Sequence, residues 1–429
     1  MDLSEFELHD QDHTDLFGIF LGVHALPGAV LFLHTTVGCK FKTQMHLVDH
    51  DWFRESHNQR LWTGVDDQRL IAGSGRRLVE FATTWYERRK PSLVVVTTNA
   101  AVELSALDVE AAVEELRGRL PCPVLLLKAP GYEGGVHRGY ARLLRAVIPL
   151  LEWDRAPRED RVTLAGYLFD RYEMDHAANM KEIRRLLNAL GLYLGGVLFG
   201  GEPFETLKRT APEAATVALF PLVHGLDVPG TRRTVAVDIP LGLRGSAEFL
   251  RRVGAAAGLD RAGIESLIDR EYERAVPLIA RAARRIEGLR IGVFLDSALA
   301  AAVAAFLTDL GAEVPFVALL GRADADETRF REAFQRLAPP GSPPPRTILC
   351  GPSRNEAVRR FLEVASEAPI PVAVGSTVQR LVLNRHLTFV VELGFPATGR
   401  HTIYPMPFLG FNGALALTQR ILDAVHTTF

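Results

Sequence analysis

SLVVVTTNAAVELSALDVEAAVEELRGRLPCPVLLL, residues Ser92–Leu127, decides the fold class. It opens on an apolar run, SLVVVTT (Ser92–Thr98), with no alternation of polar and apolar positions. Such a strand has no face to give to water, which is the condition of a strand inside a parallel sheet. LDVEAAVEELRGR (Leu107–Arg119) then changes to a helical period, with Ser105 as a candidate N-cap. A second apolar run, CPVLLL (Cys122–Leu127), follows. Parallel strands need a crossover between them, and the helix supplies it.

The same alternation extends in both directions. Upstream lies AVLFLHT (Ala29–Thr35). Downstream lie RVTLAG (Arg161–Gly166), RIGVFL (Arg290–Leu295), PRTILC (Pro345–Cys350) and PVAVG (Pro371–Gly375). Helical patterns separate them. AANMKEIRRLLNAL (Ala177–Leu190) stops at Gly191, and SALAAAVAAFLTDL (Ser297–Leu310) stops at Gly311. A long charged helix is expected over Asp260–Ile286. Repeated strand, helix and strand in each third of the chain predicts doubly wound α/β units. PPGSPPP (Pro339–Pro345) reads as a surface loop between a helix and a strand.

The chain has 429 residues, 48% of them hydrophobic and 23% charged, so several packed cores can form. At roughly 150 residues per domain the length predicts three domains. Breaks are expected in WDRAPREDR (Trp153–Arg161) and near Glu287–Arg290. The expectation is therefore an α/β protein of three Rossmann-like domains, with parallel sheets flanked by helices, over residues 1–157, 158–288 and 289–429. Lysine and arginine total 49 against 51 acidic residues, a net charge of −2, which leaves no basic footprint for nucleic acid. Three cysteines exclude a disulfide scaffold and any four-cysteine metal site within one copy. No uncharged apolar stretch is long enough to span a membrane, and the acidic N-terminus is the opposite of a secretory signal. A cytoplasmic protein is expected.

There is no GxxxxGK[ST] phosphate loop, no strand leading into GxGxxG, and no GxSxG, HExxH or CxxC. Gly73-Ser74-Gly75 reads as a turn. Cys39 stands out. It follows a buried strand in HTTVGCKF (His34–Phe41), where ligands collect in α/β sheets, and Gly38 permits close approach of a bulky group. A thiolate there suits iron in an iron–sulfur cluster, whereas a small buried hydrophobe is the bland reading. Cys122 and Cys350 read as core cysteines. His34 and His401, at strand ends, are either proton donors or satisfied imidazoles. Asn99 either caps the following helix or walls a site. Glu202 either lines a cleft or opens a helix. His9 and His13 read as part of a tail that is either solvated or covers a partner surface.

Read in order, several segments resemble the component 1 family of nitrogenase and its relatives, nearest to the β-type subunits and the β-type partner of the cofactor-assembly scaffold. They are HTTVGC (His34–Cys39), Val48–Glu80, PSLVVVTTNAAVELSALD (Pro91–Asp108) and LLLKAPGYEGGVHRGY (Leu125–Tyr140). DIPLGLRGSAEFL (Asp238–Leu250), VVELGFPATGRH (Val390–His401) and GFNGALALTQRILD (Gly410–Asp423) complete the series, which spans nearly the whole chain.

The resemblance implies an α-type partner chain in a hetero-oligomer and a cluster at the boundary between the two. It also implies a separate ATP-dependent iron–sulfur reductase protein that delivers electrons, which suits a chain lacking a phosphate loop. Of the three cysteines that β-subunits use for an eight-iron cluster, only Cys39 has a counterpart here. The second falls near Gln59 and the third at Asn99. Lys128 lies just before the loop where α-type chains carry a further cysteine. The α-type cysteine that anchors the molybdenum cofactor would fall around Leu219–Val223, where no thiol stands. The implied cofactor is a 4Fe-4S cluster shared with the partner, with Cys39 as metal ligand and Gly38 and Asn99 beside it. The implied function is a β-type subunit of a nitrogenase-like oxidoreductase passing electrons to a bound substrate. A non-reductive assembly scaffold or a metal-free structural partner are the alternatives.

Overall fold

A computed structural model describes residues 13–39, 60–66, 68, 73–105, 108–167, 175–230, 232–397, 404 and 406–427. Among these residues, three parallel sheets carry the fold. The first has the order β2-β1-β3-β4, from Ala29–Leu33 (β1), Arg60–Trp62 (β2), Leu93–Thr97 (β3) and Val124–Leu127 (β4). The second has the order β6-β5-β7-β8, from Arg158–Ala165 (β5), Tyr193–Val197 (β6), Ala214–Leu219 (β7) and Arg233–Ala236 (β8). The third has the order β11-β10-β9-β12-β13, from Arg290–Leu295 (β9), Glu313–Leu319 (β10), Thr347–Cys350 (β11), Val372–Gly375 (β12) and Phe389–Glu392 (β13). The α/β architecture of parallel sheets flanked by helices is the one expected.

The unalternated runs are the central strands. Every residue of β1 and β3 is buried. Their register pairs Ala29 with Leu93 and Leu33 with Thr97, so both strands end level at their carboxyl ends. The helix stops also hold, since Gly191 and Gly311 adopt left-handed φ values of 75° and 81°. The helix after β3 begins differently from expectation. Asn99 caps a short helix, Ala100–Leu104, and Asp108 caps the next, Val109–Arg119, so Ser105 is the C-cap of the first.

The N-terminal helix Asp15–His24 is buried at every position. It crosses Val136–Val147 at a glycine contact. A Cβ on Gly18 would sit 1.9 Å from the Val136 carbonyl oxygen, and one on Gly139 would sit 1.9 Å from that of Asp15. The backbones touch because neither residue has a side chain. His13 packs on this helix, stacked on Phe17 at 4.4 Å, which corrects its reading as part of a solvated tail. His9 lies outside the described residues.

The final helix Gly410–Thr427 is tied to His176–Ala189. Asn179 Oδ1 accepts from the backbone N–H groups of Phe408 and Leu409 at 2.9 and 3.2 Å. Glu182 accepts from the Asn412 backbone and side chain at 3.1 and 2.6 Å. Arg185 completes the tie, donating to Glu182 at 2.8 Å and to Glu271 on the long helix Arg261–Ile286. Both carboxylates are buried, which is tolerable because each is paired and hydrogen-bonded.

Candidate functional site

β1 lies beside β2 on one flank and β3 on the other, so the chain reverses direction across the sheet between β1 and β3. In α/β sheets ligands collect beside the carboxyl ends of the strands at such a switch point. Residues 37–39 form a helical turn just after β1, and Asn99 stands two residues after β3. Cys39 is half-buried and packs against the core beneath. Gly38 is exposed, and a Cβ built on it meets nothing within 4 Å.

Asn99 is 8% exposed. Its Nδ2 donates to Thr36 Oγ1 at 2.9 Å and to Cys39 Sγ at 3.2 Å. Its Oδ1 accepts from the Val102 backbone N–H at 3.3 Å. Asn99 therefore caps a helix, as one of its sequence readings has it, and also faces Cys39. Next to it, Thr98 donates to Glu103, which pairs with Lys128 at 3.3 Å. Lys128 also pairs with Glu110. This end of the sheet carries exposed apolar side chains on three connections. Val37 is 62% exposed, Leu104 78% and Tyr132 70%.

His34 does not join this chemistry. It is fully buried, with Nδ1 2.9 Å from Thr63 Oγ1 and Nε2 2.8 Å from Ser74 Oγ. Burial lowers its pKa from 6.5 to about 4, so the ring is neutral and fully partnered. It pins the end of β1 to the segment after β2 and to the start of the helix Gly75–Arg89. The roles of Thr63 and Ser74 were not legible in sequence, because nothing local marks a hydroxyl as the partner of a distant imidazole. His401 lies outside the described residues.

The other cysteines differ from one another. Cys122 is half-buried against the core, and burial raises its pKa. Cys350 is exposed, contrary to its reading as a core residue. It ends β11, which is an edge strand of the third sheet and lacks the double cover of the central ones. Glu202 sits just before the helix Phe204–Thr210, half-buried, and burial raises its pKa. It does not line the cleft described next.

A cleft of 750 Å³ opens where the carboxyl ends of the second and third sheets face Val136–Val147. Phe220 and Leu222 line it after β7, and Asp296 and Ser297 after β9. Arg336 spans it to Asp238 with two hydrogen bonds of 2.8 and 3.1 Å. Asp324 reaches across to accept from the His137 backbone N–H at 3.1 Å, at the positive end of that helix. The cleft was invisible in sequence because its walls come from connections far apart along the chain.

Among the described residues, no group of three or more His, Cys, Asp or Glu side chains could hold a metal ion. Nor is any described helix long and apolar enough to cross a membrane.

Comparison with known proteins places the chain in a family. The family model for nitrogenase component 1 type oxidoreductases matches residues 16–426. The nitrogenase molybdenum-iron protein beta chain of Bradyrhizobium diazoefficiens is 24% identical over 92% of this chain and 79% of its own length. That of Methanothermobacter thermautotrophicus is 22% identical over 95% of this chain and 92% of its own. A solved structure described as nitrogenase Cp1 at pH 6.5 superposes with a TM-score of 0.79 at 17% identity, over 98% of this chain and 94% of the other. The chain belongs to the nitrogenase component 1 type oxidoreductase family.

Proposed function

We propose that this chain is the β-type subunit of a nitrogenase-like oxidoreductase. It would share a 4Fe-4S cluster with an α-type partner through Cys39, and the complex passes electrons from an ATP-dependent iron–sulfur reductase protein to a bound substrate. The observation that carries the reading is Cys39 itself. Its sulfur lies at the switch point of the first sheet, 3.2 Å from a buried amide donor, on a face with three exposed apolar side chains.

The donor set fits one corner of a shared cluster. Cys39 supplies a single soft ligand, and the described residues complete no metal site alone. When bound, the cluster supplies one-electron transfer. The chain's own residues do the rest. Cys39 would hold one corner of the cluster through its sulfur. Asn99 presents an N–H to the sulfur. Val37, Leu104 and Tyr132 meet the partner and exclude water from the boundary. The pairing of Lys128 with Glu103 and Glu110 steadies the helix that Asn99 caps.

The test is electron delivery. The chain is co-expressed anaerobically with an α-type partner chain, and the pair is mixed with the reductase protein. A reduced-cluster EPR signal on the pair that requires both reductase and ATP is the expected result. A cluster signal that never responds to reductase and ATP would favour the assembly-scaffold alternative. A pair that forms without any cluster would leave a structural partner.

A further inference from the structure

Asn99 is buried and its carboxamide is oriented by two different demands. The Val102 backbone N–H can only donate, so the atom facing it at 3.3 Å is Oδ1. Nδ2 must then face the other way, onto Thr36 Oγ1 at 2.9 Å and Cys39 Sγ at 3.2 Å. Rotating the amide to offer Cys39 an oxygen would turn an NH2 group against the Val102 N–H and leave that donor unpaired. Leaving a buried donor unpaired is costly, so the helix cap locks the orientation. Thr36 reinforces it, because its hydroxyl accepts from the same NH2 group.

A hydrogen bond donated to a ligand sulfur withdraws electron density and favours the more reduced, more negative state of an iron–sulfur group, raising its reduction potential. An acceptor or a void at the same point does the reverse. We propose that Asn99 is a positioning residue that holds a fixed N–H donor on the Cys39 sulfur and so sets the potential of the cluster ligated there. The inference rests on the proposed role of Cys39 and adds how this chain tunes the site.

Two substitutions separate donor from cap. Serine is a good N-cap and keeps the Val102 bond, but its side chain offers no amide. Aspartate keeps the cap and nearly the same shape but places an oxygen where the N–H stood. In the α–β pair, Asn99→Ser is expected to retain its iron and to lower the midpoint potential in an EPR-monitored redox titration. Asn99→Asp is expected to lower it further or to lose iron. A potential unchanged in both variants, with iron intact, overturns the proposal and reduces Asn99 to a helix cap.

The contact is also read without any cluster. In the metal-free chain labelled with 15N-asparagine, the side-chain amide resonance that vanishes in Asn99→Ser is that of Asn99. It is expected to shift in Cys39→Ala, and a resonance that stays in place overturns the hydrogen bond. A wild-type pair without iron overturns the cluster assignment and the redox half of this inference, while the amide shift still decides the contact.

Discussion

The imidazole of His34 sits one residue beyond β1, fully buried, with a hydroxyl on each nitrogen. Its pKa falls from 6.5 to about 4 because burial disfavours the charged ring. The unfolded chain therefore binds a proton between those values that the folded chain refuses, and stability rises with pH across that window. The contribution is complete above pH 6.5 and is lost as pH falls toward 4, on the order of 3 kcal/mol in all. His34→Gln is expected to lower stability near neutrality and to flatten the slope between pH 6.5 and 4 in urea unfolding. An equal slope in both proteins would contradict this. At this scale the sequence was informative only where chain position and chemistry coincide. The positions of Cys39 and Asn99 beyond the carboxyl ends of β1 and β3 were legible because each follows a buried run. The exposure of Cys350 was not, since an apolar run does not say which strand lies at the edge.

Helices meet at two kinds of contact here, one without side chains and one made of charges. At the crossing of Asp15–His24 with Val136–Val147, the two glycines let backbone touch backbone. Gly18→Ala or Gly139→Ala forces the helices apart, with a loss of about 2 kcal/mol or more in chemical denaturation. Gly118→Ala, where a Cβ meets nothing within 4 Å, is the control and should not destabilise. The second contact is the tie of Glu182 to Arg185 and the start of the last helix. Glu182→Ala strands the Asn412 N–H and is expected to cost about 2 kcal/mol, kept modest because Arg185 still reaches water. Hydrogen exchange should show faster opening at the start of Gly410–Thr427 than elsewhere, and uniform exchange would argue against the tie. Strand and helix periods made the central elements legible. These crossings were not legible, because glycine and glutamate take their meaning from partners distant in sequence.

The whole molecule places the carboxyl ends of its sheets toward two features, the contact between Asn99 and Cys39 and the cleft bridged by Arg336 and Asp238. Three parallel sheets were readable from the recurrence of unalternated runs, and the order of the resembling segments already pointed to the family that the comparison shows. The cleft was not readable, since it exists only once the second and third sheets face each other. The central claim joins the chain to a partner through one sulfur, so the most direct measurement is iron and acid-labile sulfide in the anaerobically purified α–β pair, wild type beside Cys39→Ala. The account predicts about four irons and four sulfides per pair in the wild type, falling sharply in the variant while the pair remains assembled. An intact wild-type pair carrying no iron, or a variant that keeps its full complement, would contradict it.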